Sequence, residues 1–130
     1  MLRLTLVLPL MALFQCDRDE TVAAYGASDW SWVLREIDGQ PFEASVILQF
    51  PEEGKIAGNA PCNSYNGTLN APYPWFAIKD LAATRAACAA LEAEGVYFAA
   101  LLAMTQSEVS GDVLILRNED GHEMVFKAAE

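Results

Sequence analysis

The sequence predicts a single compact α+β domain in which a mostly antiparallel β-sheet packs on one main α-helix. Three observations carry that expectation. Short strand-like segments separated by turn residues fill 31–78 and return at 113–127. Between them, 86–105 shifts to Ala, Leu and Glu, which favour helix. Finally, 130 residues with 53% hydrophobic content and no internal repeat have room for one core and no second domain.

The first element is read as an address rather than as fold. Residues 1–15 (MLRLTLVLPLMALFQ) set one cation, Arg3, before an apolar run broken by Pro9. That run is too short to cross roughly 30 Å of hydrocarbon. It has the shape of a secretory signal of the lipoprotein type. Leu13-Phe14-Gln15-Cys16 matches the box in which the cysteine is acylated and becomes the first mature residue, except that Gln15 stands where a small residue is usual. Cys16 is therefore the lipidation candidate, and Val22-Ala23-Ala24 is the rival cleavage site. Residues 16–29 are polar and small without a period and are expected to be a flexible tether, with the domain over 30–130.

Within the domain, 31–37 is a short strand closed by Asp38-Gly39. The strongest strand is 44–50 (ASVILQF), with Val46, Leu48 and Phe50 on one face. Pro51-Glu52-Glu53-Gly54 turns it into a partner strand over 55–59. Residues 62–67 (CNSYNG) read as a polar, turn-rich knot, 68–70 as a brief pairing, 71–74 as irregular, and 75–78 as another short strand. The helix is expected over 86–105, presenting Leu91, Phe98, Leu102 and Thr105 on one face with Leu101 beside it. Gly95 is either a weak point or a close-packing point there. Strands over 113–116 and 123–127 flank Asn118-Glu119-Asp120-Gly121, whose Asp-Gly pair suits a hairpin.

Charge and cysteine usage narrow the function classes. Lys plus Arg is 8 against 18 for Asp plus Glu, a net charge of −10, which argues against nucleic acid and against anionic membrane surfaces. Membrane contact is expected only through an N-terminal lipid. Three cysteines are odd for an exported protein. Giving Cys16 to lipid leaves Cys62 and Cys88 as an even pair in an oxidising compartment. A bridge between them would close a loop of about 27 residues and contribute roughly 3.5 kcal/mol. The alternative is two reduced thiols packed as small hydrophobes.

No catalytic constellation stands out. The lone His122 sits beside a turn, and a zinc site would need Cys62, Cys88 and His122 to meet through the fold. Glu52-Glu53 lies in a turn, and Glu92 and Glu94 suit the positive end of a helix. Neither catalytic residues nor a metal nor a cofactor is assigned. The concentrated signal is 58–67 (GNAPCNSYNG), followed by Thr84-Arg85-Ala86-Ala87-Cys88. Its functional reading is a binding patch. In its structural reading Asn63 and Thr84 satisfy buried loop backbone, and Gly58 and Gly67 allow close approach or positive φ.

The order of these residues resembles the META domain, the family of HslJ-like heat-shock lipoproteins. The resemblance runs through Trp32, Leu34 and Gly39; Gly58, Cys62, Asn63, Tyr65 and Gly67; Thr84, Arg85 and Cys88; Glu94 and Phe98; and Leu114, Leu116, Gly121 and Phe126. Pro61 and Ala86 depart from the pattern, which commonly has Gly and Met there. The resemblance implies a small α+β fold with a half-barrel-like sheet, export as an envelope lipoprotein, and a link to stress tolerance. It carries no catalytic residues, so the matching positions transfer as a structural signature. The expected partners are envelope proteins or small ligands. The alternatives are a small hydrolase built on cysteine or carboxylates, and a small-ligand or metal sensor.

Overall fold

The computed structural model describes Thr5 and residues 18–129. Cys16, and all of the expected signal segment except Thr5, lie outside the described residues. The chain forms β1 (Trp32–Ile37), β2 (Gln40–Pro41), β3 (Ile47–Gln49), β4 (Lys55–Asn59), β5 (Ser64–Leu69) and β6 (Ile78–Ala83). Helix α1 (Leu91–Ala103) follows, then β7 (Gln106–Ser110), β8 (Val113–Arg117) and β9 (Glu123–Ala128). All pairings are antiparallel, in the order β6-β5-β4-β3-β1-β9-β8-β7, with β2 beside β1. The sheet curls until its edges approach. The Phe76 N–H donates to the Thr105 carbonyl at 2.9 Å and the Ser107 N–H to the Pro74 carbonyl at 2.7 Å. The result is a single α+β half-barrel with α1 packed across it.

Alternation builds the interior. Trp32 and Leu34 from β1, Leu48 from β3, Ile56 from β4, Tyr65 and Leu69 from β5, Leu114 and Leu116 from β8, and Met124 and Phe126 from β9 are buried. Each large apolar side chain removed from water contributes about 1.5–3 kcal/mol, and together they fix the register, because a one-residue slip would turn the whole set outward. The β3–β4 and β8–β9 hairpins form as the alternation predicts, with Leu48 opposite Gly58 and Leu116 opposite Met124.

Five sequence expectations are corrected. The polar knot is a strand from Ser64 onward; its inward positions are Tyr65, Gly67 and Leu69, and the glycine and asparagines hid the alternation. The strand expected over 75–78 reduces to a bridge between Trp75 and Gln106, and β6 begins at Ile78. Strand β7 (QSEVS) was too polar to stand out. The helix starts at Leu91 rather than 86, because the Ala86 N–H and carbonyl are both held by the Asn63 side chain and cannot enter a helical ladder. Its buried face is Glu94, Tyr97 and Leu101, while Leu91 and Leu102 are exposed. Gly95 meets nothing within 4 Å, so it is not a close-packing point.

The fifth correction concerns the N-terminal flank. Of the expected tether 16–29, the described part forms two short 3-10 turns, Val22–Tyr25 and Ala27–Asp29. Val22, Ala23 and Ala27 are buried. Small apolar residues without a period carry no sequence signal, yet they fit the mouth of the half-barrel, where the Trp32 indole donates to the Ala27 carbonyl at 2.8 Å. The Tyr73 N–H donates to the Glu20 carbonyl at 2.7 Å, and Tyr25 stacks on Tyr73.

Candidate functional site

The motif residues converge at the opposite mouth, under the N-terminal half of α1. Strand β4 ends at Asn59, and the loop that follows turns into β5 with Asn63 buried. One carboxylate oxygen of Glu94 accepts from the Cys62 N–H at 3.0 Å and the Asn63 N–H at 2.8 Å; the other accepts from the Asn63 amide at 2.7 Å. That amide also donates to the Ala86 carbonyl at 2.9 Å. The Asn63 carbonyl oxygen accepts from the Thr84 hydroxyl at 2.8 Å and the Ala86 N–H at 2.7 Å. Both donors and the acceptor of Asn63 are thus occupied by protein. Cys62 and Cys88 form a disulfide across this junction, with Cα atoms 5.6 Å apart. The bridge and the Asn63 contacts tie the segment 84–90 to the sheet before the helix begins.

Deeper in, the Tyr65 hydroxyl donates to the Ile47 carbonyl at 2.8 Å and meets the Tyr97 hydroxyl. Phe98 packs edge-on against Tyr65, their centroids 5.4 Å apart. Burial pushes both phenols well above the ordinary tyrosine range, because an ionised ring would be stranded in an apolar interior. Gly58 is required by the same contact: a Cβ there would lie 1.9 Å from the Ile47 carbonyl and 2.6 Å from the Tyr65 hydroxyl oxygen. Gly67 has a little more room: a Cβ there would lie 3.2 Å from both the Ile78 side chain and the Lys79 carbonyl. Neither glycine has positive φ, so close approach is the reason at Gly58.

The remaining candidates lie elsewhere. Gly39, at φ 75°, completes the turn after β1. Its neighbour Asp38 accepts from the Glu123 N–H at 2.9 Å and pairs with the His122 ring at 2.9 Å, and these contacts, the backbone one first, hold its carboxyl below the usual range. His122 is exposed, and its ring pairs with Asp38 rather than with either cysteine. Arg85 is exposed and makes no hydrogen bond or ion pair among the described residues. Nor, among the described residues, does any group of three His, Cys, Asp or Glu side chains converge on a metal position.

A family model described as META domain matches residues 27–130. The chain belongs to the META domain family. Within that fold, a solved protein from Burkholderia xenovorans is 22% identical, with a TM-score of 0.67 over 96% of this chain and 99% of the other. A duf4847 family protein from Bacteroides vulgatus is 14% identical, with a TM-score of 0.66 over 82% and 96%. At these identities the likeness is one of fold. No curated protein matches the chain in sequence. The META signature now reads as one cross-braced junction in which Asn63, Thr84, Glu94 and the disulfide join β5, the segment 84–90 and α1. The two departures fall where they do little harm. Ala86 uses its backbone rather than its side chain, and Pro61 precedes the two N–H groups that Glu94 receives. One member of the site was not read from the sequence: Tyr97, which shares the helix face of Glu94 and Leu101. Outside the site, the pairing of Asp38 with His122, 84 residues away, was not read either.

Proposed function

We propose that this META-domain protein is exported, is held at the cell envelope by a lipid on Cys16, and acts there by binding or protecting other envelope components under stress rather than by catalysis. The Cys62–Cys88 bridge carries the reading, since structural disulfides persist in oxidising compartments. It leaves Cys16, directly after the apolar run, as the cysteine free for acylation. A non-enzymatic role is supported by how the signature groups are used. Asn63 and Glu94 hold one another and their loops, and the two thiols are consumed in the bridge. The deciding measurement is the intact mass of the protein from its native host, before and after reduction. A chain that starts at Cys16, carries acyl groups and gains two hydrogens on reduction is expected. An unacylated chain with free thiols would sink the proposal and return the cysteine-based hydrolase to consideration. For the binding role, cross-linking in intact cells should recover the same envelope partner repeatedly, and more of it under stress.

A further inference from the structure

A second cluster lies on the outside of the sheet, remote from the signature junction. On β1 and β9, Trp32, Leu34, Met124 and Phe126 point into the core, so by alternation Val33 and Lys127 project from the outer face. Arg35, the extra residue of a bulge between Leu34 and Glu36, is exposed beside them. The register sets Val33 opposite Lys127. Trp30, just before β1 and 44% exposed, stands beside them. Trp30, Arg35 and Lys127 line a cleft of about 480 Å³ together with Asp112, Ala128 and Ala129.

Its chemistry departs from the rest of the molecule. In a chain of net charge −10, two cations meet here. The Arg35 guanidinium is exposed and has no hydrogen-bond or ion-pair partner among the described residues. Lys127 has one partner, Asp112, at 3.4 Å, longer than a strong charge-assisted bond. Arg117 shows the contrast: it is held at 2.9 Å by both Glu108 and Glu123, so its charge is already matched by two carboxylates. Beside the unpartnered Arg35 and the loosely held Lys127 lies a flat indole, which packs by dispersion and area burial against the apolar C–H face of a sugar ring. A concave wall with one aromatic platform beside charged side chains suits a small polar ligand better than a membrane, and the net charge opposes an anionic bilayer.

We propose that this cleft binds an anionic saccharide unit, with Arg35 and Lys127 on its carboxylate or phosphate and Trp30 against the ring. The choice of a saccharide rests on the envelope reading; the anion contact does not. The test is a titration of isotope-labelled protein with N-acetylmuramic acid, with N-acetylglucosamine and inorganic phosphate as matched probes, followed by amide and indole NMR signals. Saturable shifts at the Trp30 indole and the Ala128 and Ala129 amides are expected, with each matched probe at least about tenfold weaker. Arg35→Gln, an exposed change that should leave the melting temperature in place, is expected to weaken binding about ten- to hundredfold. Trp30→Leu should erase the preference for the sugar acid over phosphate. Absence of saturable shifts, equal binding by the neutral sugar, or unchanged binding by Arg35→Gln would overturn the proposal. Phosphate binding as tightly as the sugar acid would overturn the saccharide assignment. Because the titration is made in solution, none of these outcomes depends on where the protein resides.

Discussion

The half-barrel is closed at its two mouths by different means. One mouth is sealed by α1 through a polar junction: the Glu94 carboxylate, the Asn63 amide, two buried hydroxyls and a disulfide. The other is sealed by the 3-10 turns, with Val22, Ala23 and Ala27 set against the Trp32 indole. Polar closure needs particular atoms at particular distances, so few residue types will serve and the sequence shows them as a motif. Apolar closure needs only volume, which many residues supply, and leaves no mark in the sequence.

Substitutions at the two mouths should therefore fail differently. The largest effect is expected for Glu94→Ala, which strands the Cys62 and Asn63 backbone N–H groups and one of the two Asn63 amide N–H groups without an acceptor. At about 1–3 kcal/mol for each unsatisfied donor, a loss of about 5 kcal/mol is expected in urea unfolding. Glu94→Gln, which keeps the volume and one acceptor, should lose roughly half as much. A chain begun at Trp30 tests the other mouth. If residues 22–29 are a plug, removing Val22, Ala23 and Ala27 and the acceptor of the Trp32 indole should cost about 4 kcal/mol; a tether would cost nothing. Replacing both Cys62 and Cys88 by Ser should cost about 3.5 kcal/mol while leaving the Glu94 contacts in place.

The alkaline limb separates the mouths without mutation. Tyr65 and Tyr97 have folded pKa values raised above the unfolded value of about 10. Their contribution is intact below pH 10 and is lost as pH rises, by about 1.4 kcal/mol per pH unit for each phenol. Stability should hold from pH 9 to 10 and fall with that slope from pH 10 to 12, and Tyr97→Phe should flatten the fall. The smallest effect belongs to the exposed Asp38, whose carboxyl is lowered by the Glu123 N–H and then by His122. The small stability lost in Asp38→Asn should be visible above about pH 4 and vanish as acid protonates the native carboxylate.

What the sequence reveals follows the same division. Val46, Leu48 and Phe50, and the hairpin after Asn118, are legible because apolar alternation and turn chemistry are local signals. Asn63, Tyr65 and Thr84 are legible as a motif, and the structural reading holds for Asn63, which satisfies the Ala86 backbone, while the exposed Thr84 hydroxyl reaches only the Asn63 side chain. The buried stripe of α1 is hidden because Glu94 and Tyr97 count as polar until their partners are known, so hydropathy selects Leu91 and Leu102, which face solvent. Strand β5 is hidden by Gly67, an inward position with no side chain to mark it. Pairings such as Asp38 with His122 depend on two turns meeting across the sheet, and no local rule announces them.

The chain passes through Glu20 and the 3-10 turns before it reaches β1, so tension applied from the N-terminal side must pass through that closure first. The contact from Glu20 to Tyr73 and the seat of Val22 would yield in sequence, and only then would β1 begin to peel from β3 and β9. Helix α1 and its disulfide lie at the far end, outside that path. Under a pull from its N-terminal side, the molecule should extend by a few nanometres as this short flank unravels, with the signature junction still closed.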